Sequence, residues 1–184
     1  MKKIIVGISG ASGSILGIKL LEYLKKAKVE THLVMTETAQ KILEHETGHS
    51  ASQVKKLATK VYDNKDMFGV VASGTFKTGG MVVIPCSMKT LAGIASGYSD
   101  NLLLRAADVC LKERRKLVLV PREVPLSYIH IKNMLKVSTA GGMIVPPVMS
   151  FYQKPKNLND MVNQIVGKIL DIFDIKNNIL KRWK

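Results

Sequence analysis

Apolar residues in this chain collect in short unbroken runs rather than alternating with polar ones. Five stand out: 2–9 (KKIIVGIS), 31–36 (THLVMT), 81–87 (MVVIPCS), 116–121 (KLVLVP) and 143–148 (MIVPPV). A weaker sixth lies at 59–63 (TKVYD). Continuous runs of this length read as strands buried on both faces, as in a parallel sheet. Between them the apolar spacing changes to three and four. Ile15, Ile18, Leu21 and Leu24 form one stripe; Leu102, Ala106, Val109 and Cys110 form another. Val162, Ile165, Ile169 and Ile172 form the last. Strand, helix, strand, repeated, predicts a doubly wound α/β fold with a mainly parallel sheet and a single domain over 1–184. The longest predicted connection, 64–80 (NKDMFGVVASGTFKTGG), is rich in glycine and small polar residues. Such loops are often functional.

Open α/β sheets bind ligands beyond the carboxyl ends of their strands. The residues there are Ser9 to Ser12, Thr36, Ser87 to Thr90, Arg122 with Glu123, and Pro146 to Tyr152. Most of these ends carry hydroxyls or charge, which points to a phosphate-bearing ligand. In GISGASGSILG, Gly7, Gly10 and Gly13 recur every third position and do not make the G-x-G-x-x-G fingerprint. Thr36 stands where a dinucleotide site usually places its ribose-binding acid. The loop can still offer backbone N–H groups to an anion, with Ser12 as helix cap or ligand donor. A plain tight turn explains it equally well. Ser87 to Thr90 repeat the device at a second helix start, where Lys89 adds charge or faces water. Two helix starts aimed into one crevice suit a mononucleotide.

Net charge is +14, but the lysines are spread along the chain, aromatics make up only 5%, and no nucleic-acid motif accompanies them. No nucleic-acid partner is expected. Arginine is scarce, and Arg105, Arg114, Arg115 and Arg122 fall close together. Arg105 and Lys112, seven apart, share one helix face. Glu113, Arg114 and Arg115 read as a solvated helix end. Arg122–Glu123 at a strand tip can bind phosphate and move a proton. Glu46, in LEHETG, reads by itself as a solvated helix-end glutamate. Cys86 and Cys110 sit in apolar runs and read as reduced thiols. The four histidines lack metal-ligand spacing, and His130 reads as structural. No secretory leader, bilayer-length apolar run or hydrolase triad is apparent, so a cytoplasmic protein without a membrane partner or metal is expected.

The run PCSMKTLAGIASGYSDNLLLRAADVCLKERRKLVLVPREVPLSYIHIKNM resembles the UbiX-type flavin prenyltransferases. So do SGASG at 9–13, ASGTF at 72–76, FYQKP at 151–155 and the terminal RW at 182–183. The resemblance covers essentially the whole chain. It implies a flavodoxin-like, three-layer Rossmann domain, assembled as a homododecamer, that prenylates reduced FMN with dimethylallyl phosphate at N5 and C6. The prenylated FMN would serve a UbiD-type decarboxylase, in ubiquinone synthesis or aromatic-acid decarboxylation.

By position, the resemblance assigns FMN to Gly10, Ala11, Ser12, Thr36, Ser87, Met88, Lys89, Thr90 and Arg122. It assigns the dimethylallyl phosphate to Tyr152 and Lys168, assisted by Arg105 and Lys112, with Ser73 and Gly74 in the matching ASGTF segment. Glu46 and Glu123 become proton-handling groups, with Ser12 and Lys112 beside the chemistry. The chain departs from the family at Lys168, where arginine is usual, and at 64–70, where a tryptophan and prolines are usual. Two alternatives stay open. A flavin-dependent cysteine decarboxylase shares the flavin loop, but its PASANT and Met-Asn-rich segments are missing. A non-catalytic FMN-binding carrier subunit of a decarboxylase would need fewer of these residues.

Overall fold

Six strands form one all-parallel sheet in the order β3-β2-β1-β4-β5-β6. The strands are β1 (Lys3–Ile8), β2 (Glu30–Met35), β3 (Lys60–Asp63), β4 (Gly80–Cys86), β5 (Lys116–Pro121) and β6 (Met143–Ile144). The computed structural model describes residues 2–180, so the terminal Arg182–Trp183 pair lies outside it. Among the described residues, six helices connect the strands, α1 (Ser14–Lys26), α2 (Glu37–Thr47), α3 (Ala51–Lys55), α4 (Met88–Ser96), α5 (Leu102–Lys112) and α6 (Tyr128–Thr139), and α7 (Leu158–Ile172) follows the last. The sheet is wholly parallel, where the sequence suggested mainly parallel.

Strand geometry divides the core in two. Ile4, Val6, Ile8, Val82, Ile84, Val118 and Val120 pack one face against α1, α2 and α7. The intervening Ile5, Met81, Val83, Leu117 and Leu119 pack the other against α4, α5 and α6. Successive side chains of a strand point to opposite faces, so an unbroken apolar run is what two covered faces require. Each such fully buried aliphatic side chain stabilises the fold by about 1.5–3 kcal/mol. Gly17 sets the spacing of α1: a Cβ there would stand 2.7 Å from the Ile84 carbonyl oxygen.

One predicted strand is much shorter than its apolar run. In 143–148 only Met143 and Ile144 pair with β5, and Val145 N–H donates once more to Leu119 O at 2.8 Å. Pro146 and Pro147 follow and carry no N–H to continue the ladder. The 64–80 connection is not wholly irregular either, since Val70–Ala72 form a 3₁₀ turn.

The topology reverses between β1 and β4. The helix after β1 covers one face and the helix after β4 the other, so their connections diverge and leave a crevice at the carboxyl ends. Gly10, Thr36 and Ser87 to Thr90, from the first, second and fourth strand ends, border it, while Ala11 and Ser12 are not in its lining.

Candidate functional site

A cleft of about 960 Å³ opens at those carboxyl ends. Gly10, Thr36, Ser87, Met88, Lys89, Thr90 and Glu123, all singled out from sequence, line it. Each is positioned by local chemistry. Thr36 ends β2 and caps α2, its Oγ1 accepting from Ala39 N at 3.1 Å. Ser87 ends β4 and caps α4, accepting from Thr90 N at 3.2 Å and donating to Thr90 Oγ1 at 3.1 Å. Ser9 ties the two loops together: its Oγ donates to Pro85 O at 3.1 Å and accepts from Ser87 N at 2.8 Å. Met88 and Lys89 come first in α4, so their amides have no acceptor within the helix. With the Lys89 ammonium they present free donors and positive charge to the cleft. Met35, Met88 and Leu104 give the same cleft an apolar wall.

The first loop behaves differently. Ser12 does not cap α1; the cap position is Gly13, at φ 101° and without a side chain. The anion at this helix start is the chain's own Glu46, from the last turn of α2. Its Oε2 accepts from Gly13 N at 3.0 Å and from Ser14 N at 3.0 Å. Partial burial pushes the Glu46 carboxyl up, but donation from the Ser12 hydroxyl and the Ser14 and Gly13 amides outweighs it. The carboxyl is held below its ordinary value. The solvated helix-end reading of Glu46 is thereby corrected: it is exposed to water, but fastened.

The remaining predicted residues are elsewhere. Arg105 and Lys112 lie along α5, where Arg105 Nη1 donates to Asp108 Oδ2 at 2.6 Å and its Nε to Ala72 O at 3.2 Å. Lys112 pairs with Glu113, which lowers the Glu113 carboxyl from its ordinary value. Ser73 and Gly74 sit in the turn beneath this helix, close enough that a Gly74 Cβ would meet Glu113 Oε1 at 2.3 Å. That turn runs on to β4, so it adjoins the amino ends of the strands. Tyr152 follows β6 and accepts from Gln153 Nε2 at 3.1 Å, while Lys168 is exposed on α7. Arg122, just past β5, is exposed and donates its backbone N–H to Cys86 O at 3.2 Å. Glu123 Oε1 accepts from Val124 N at 3.0 Å. Among the described residues, the cleft lining includes none of Ser73, Gly74, Arg105, Lys112, Tyr152 or Lys168.

Sequence reasoning missed three features. Arg115 is not a solvated helix end: its guanidinium is mostly buried and donates to Phe76 O at 2.7 Å and to Gly74 O. Asn64 and Asn101 join the cleft wall and fix the start of α5, accepting from Leu103 N at 3.0 Å and Leu104 N at 3.1 Å. Asn101, directly before an apolar helical run, carries a readable cap signal. Tyr98, Asp100 and Gln40, also in the lining, carry none. His130 caps α6, accepting from Ser127 N at 3.2 Å, which bears out its structural role. Burial pushes both thiols up, Cys110 to about 12. Among the described residues there is no cluster suited to a metal and no helix long and apolar enough to cross a membrane.

An all-parallel sheet in this order, the Rossmann arrangement, with hydroxyl-capped helix starts gathered over the β1/β4 crevice, places the chain among the doubly wound α/β proteins that take nucleotides at that crevice. Comparison with known proteins narrows the class. Residues 1–182 match the Flavoprotein family model. The chain is 51% identical over 181 residues to the flavin prenyltransferase UbiX of Methanocaldococcus jannaschii, covering 98% of each protein. Among solved structures, AnUbiX (PadA1), in complex with FMN and dimethylallyl pyrophosphate, superposes with TM-score 0.98 at 50% identity, over 100% of this chain and 97% of that one. A dodecameric FMN-dependent UbiX-like decarboxylase from Escherichia coli O157:H7 superposes with TM-score 0.97 at 50% identity, covering 99% of each chain. The chain belongs to the flavoprotein family, in its UbiX-type flavin prenyltransferase branch.

Proposed function

We propose that this protein joins the dimethylallyl group of dimethylallyl phosphate to N5 and C6 of reduced FMN, and that the prenylated flavin passes to a UbiD-type decarboxylase. One observation carries the reading: capped helix starts, an apolar wall and the Glu123 carboxylate converge on one cleft. The residues suit FMN. The Met88 and Lys89 amides and the Lys89 ammonium match a phosphate, and Met35, Met88 and Leu104 match a flat ring. Gly10, Ala11, Ser12, Thr36, Thr90 and Arg122 complete that assignment.

Reduced FMN, when bound, supplies the nucleophilic positions that receive the five-carbon group. The chain's part is to hold charge and protons. Glu46, ionised at the start of α1, accepts a proton, and Ser12 fixes its orientation. Glu123 handles a second proton beside the leaving phosphate. Tyr152 and Lys168 bind that phosphate, and Arg105 and Lys112 of a neighbouring copy add positive charge, with Ser73 and Gly74 in the turn between them. An allylic group leaves readily once its phosphate is neutralised and water is excluded, so no metal is required. The proposed assembly is a homododecamer working in the cytoplasm.

The test is anaerobic. Protein, reduced FMN and dimethylallyl phosphate are mixed, and the extracted flavin is weighed by mass spectrometry. A gain of one five-carbon unit is the expected result. The diphosphate is tried in parallel, because the structural neighbour holds that form. Unmodified flavin with both donors, from protein that still binds FMN, would move the reading to a carrier subunit.

A further inference from the structure

The N-terminus of α1 holds one polar atom that nothing so far uses. Ser14 is 1% exposed, and its Oγ is buried without a regular hydrogen-bond partner. Buried hydroxyls are nearly always paired, and an orphaned one destabilises the fold unless it serves something nearby. The neighbour in question is Glu46. Its Oε2 lies 3.0 Å from the Ser14 amide nitrogen, and the Ser14 side chain helps to lower its carboxyl. Ser12 faces that carboxylate from the other side of Gly13.

We propose that the Ser14 hydroxyl is a positioning group for Glu46, a reserve donor that holds the carboxylate ionised and fixed over the start of α1. This rests on the proton-accepting role proposed for Glu46. Three features support it. First, the helix start needs an outside anion: Gly13 offers no side chain, and the first turn of α1 holds no acid. Second, the Glu46 carboxylate already takes both free amides, so a third donor adds to a geometry that is set. Third, the Ser14 side chain contributes, after Ser12 and the two amides, to lowering the Glu46 carboxyl. Charged neighbours are otherwise engaged. Lys19 of α1 pairs with Glu22, and Glu44, beside Glu46 on α2, accepts from Ala51 N. His45 is the basic residue in the last turn of that helix.

A reserve donor has a use that a satisfied one lacks. When Glu46 takes a proton, the amides lose much of their hold, because they bind the charged form best. The Ser14 hydroxyl can rotate, donating to the carboxylate in one state and accepting from the carboxylic acid in the other. The side chain therefore keeps its place through the proton transfer.

The experiment compares the full-length protein with S14A and S14T. Infrared pH-difference spectra follow the Glu46 carboxylate, identified by its loss in E46Q, with neither flavin nor donor present. Losing a donor to the charged form raises its proton affinity, so the Glu46 midpoint moves to higher pH in S14A and returns toward the parent in S14T. Melting temperature at neutral pH falls only slightly in S14A, by the share that the moved Glu46 midpoint accounts for, and S14T restores it. With substrates added, the rate of flavin prenylation in S14A falls about threefold to tenfold more at acid pH than at pH 8. A Glu46 midpoint that is unmoved in S14A, or that S14T does not restore, overturns the proposal. A moved midpoint in a protein that prenylates no flavin leaves Ser14 in its role and refutes the proposed reaction alone.

Discussion

At the carboxyl ends of β1, β2 and β4 the polar groups surround a cleft and keep donors to spare. At the amino ends of β1, β4 and β5 they are already spent on one another. Arg115 holds the carbonyls of Gly74 and Phe76, and Lys112 holds Glu113, while Arg105, near the start of α5, holds Asp108 and Ala72 O. Lys3 sits 4.9 Å from the centroid of the Phe76 ring. Nearby on β2, His32 is enclosed between Tyr62 and Phe76, with Glu30 on its Nε2 at 3.0 Å and Tyr62 on its Nδ1 at 2.7 Å. One end is arranged to receive a ligand, and the other fastens the 64–80 connection to the sheet. A six-residue strand, about 20 Å long, separates them. Under the proposed reaction, Arg105 and Lys112 serve the cleft of a neighbouring copy.

The largest effect should come from the cleft end. E46Q keeps the shape and one acceptor at the start of α1 but cannot take a proton. Flavin prenylation should slow about 10²- to 10⁴-fold while FMN affinity changes little. Unchanged turnover would remove Glu46 from the chemistry and blur the contrast between the two ends. The opposite pattern is expected of R115A. Losing two charge-assisted bonds to loop carbonyls should destabilise the fold by about 2–3 kcal/mol, seen as a fall in melting temperature, with the chemical step preserved per folded molecule. If R115A instead melts normally and loses activity, the amino-end cluster is not a fastening.

pH separates the regions further. Burial, opposed by Glu30, holds His32 below its ordinary value of 6.5, so the folded protein keeps it neutral while the unfolded chain takes the proton. The stability it contributes is complete above that value and declines as the pH drops below it. Melting curves of H32Q should lose that part of the acid slope; a slope identical to the parent's would show that the cluster does not titrate. Glu46 acts lower on the scale. Its stabilisation is present above the ordinary carboxylate value of 4.5 and fades as the pH falls through the depressed one. The smallest expected effect is that of K168R. Restoring a planar fork should lower KM for the phosphate donor about two- to fivefold, without altering FMN affinity or melting temperature.

Much of this was legible in the order of residues. Runs such as 81–87 and 116–121 cannot be buried except between two helical layers, so sheet, layering and the crevice follow from periodicity. Thr36, Ser87 and Asn101 announce their helices because a cap acts within three residues. The run at 143–148 overstates β6, because its two prolines end the ladder just past Ile144. Glu46 was silent: its partners lie 32 and 33 residues away, and nothing in LEHETG records which surface the end of α2 meets. Arg115 was silent for the same reason, with acceptors some 40 residues upstream. Spacing in the chain determined which segments are strands, which faces are buried and which loops border the crevice, because those properties depend on neighbours along the backbone. Only the tertiary structure decided that a distant carboxylate caps α1 and that the arginines fasten a turn, because hydrogen bonds and ion pairs form across space.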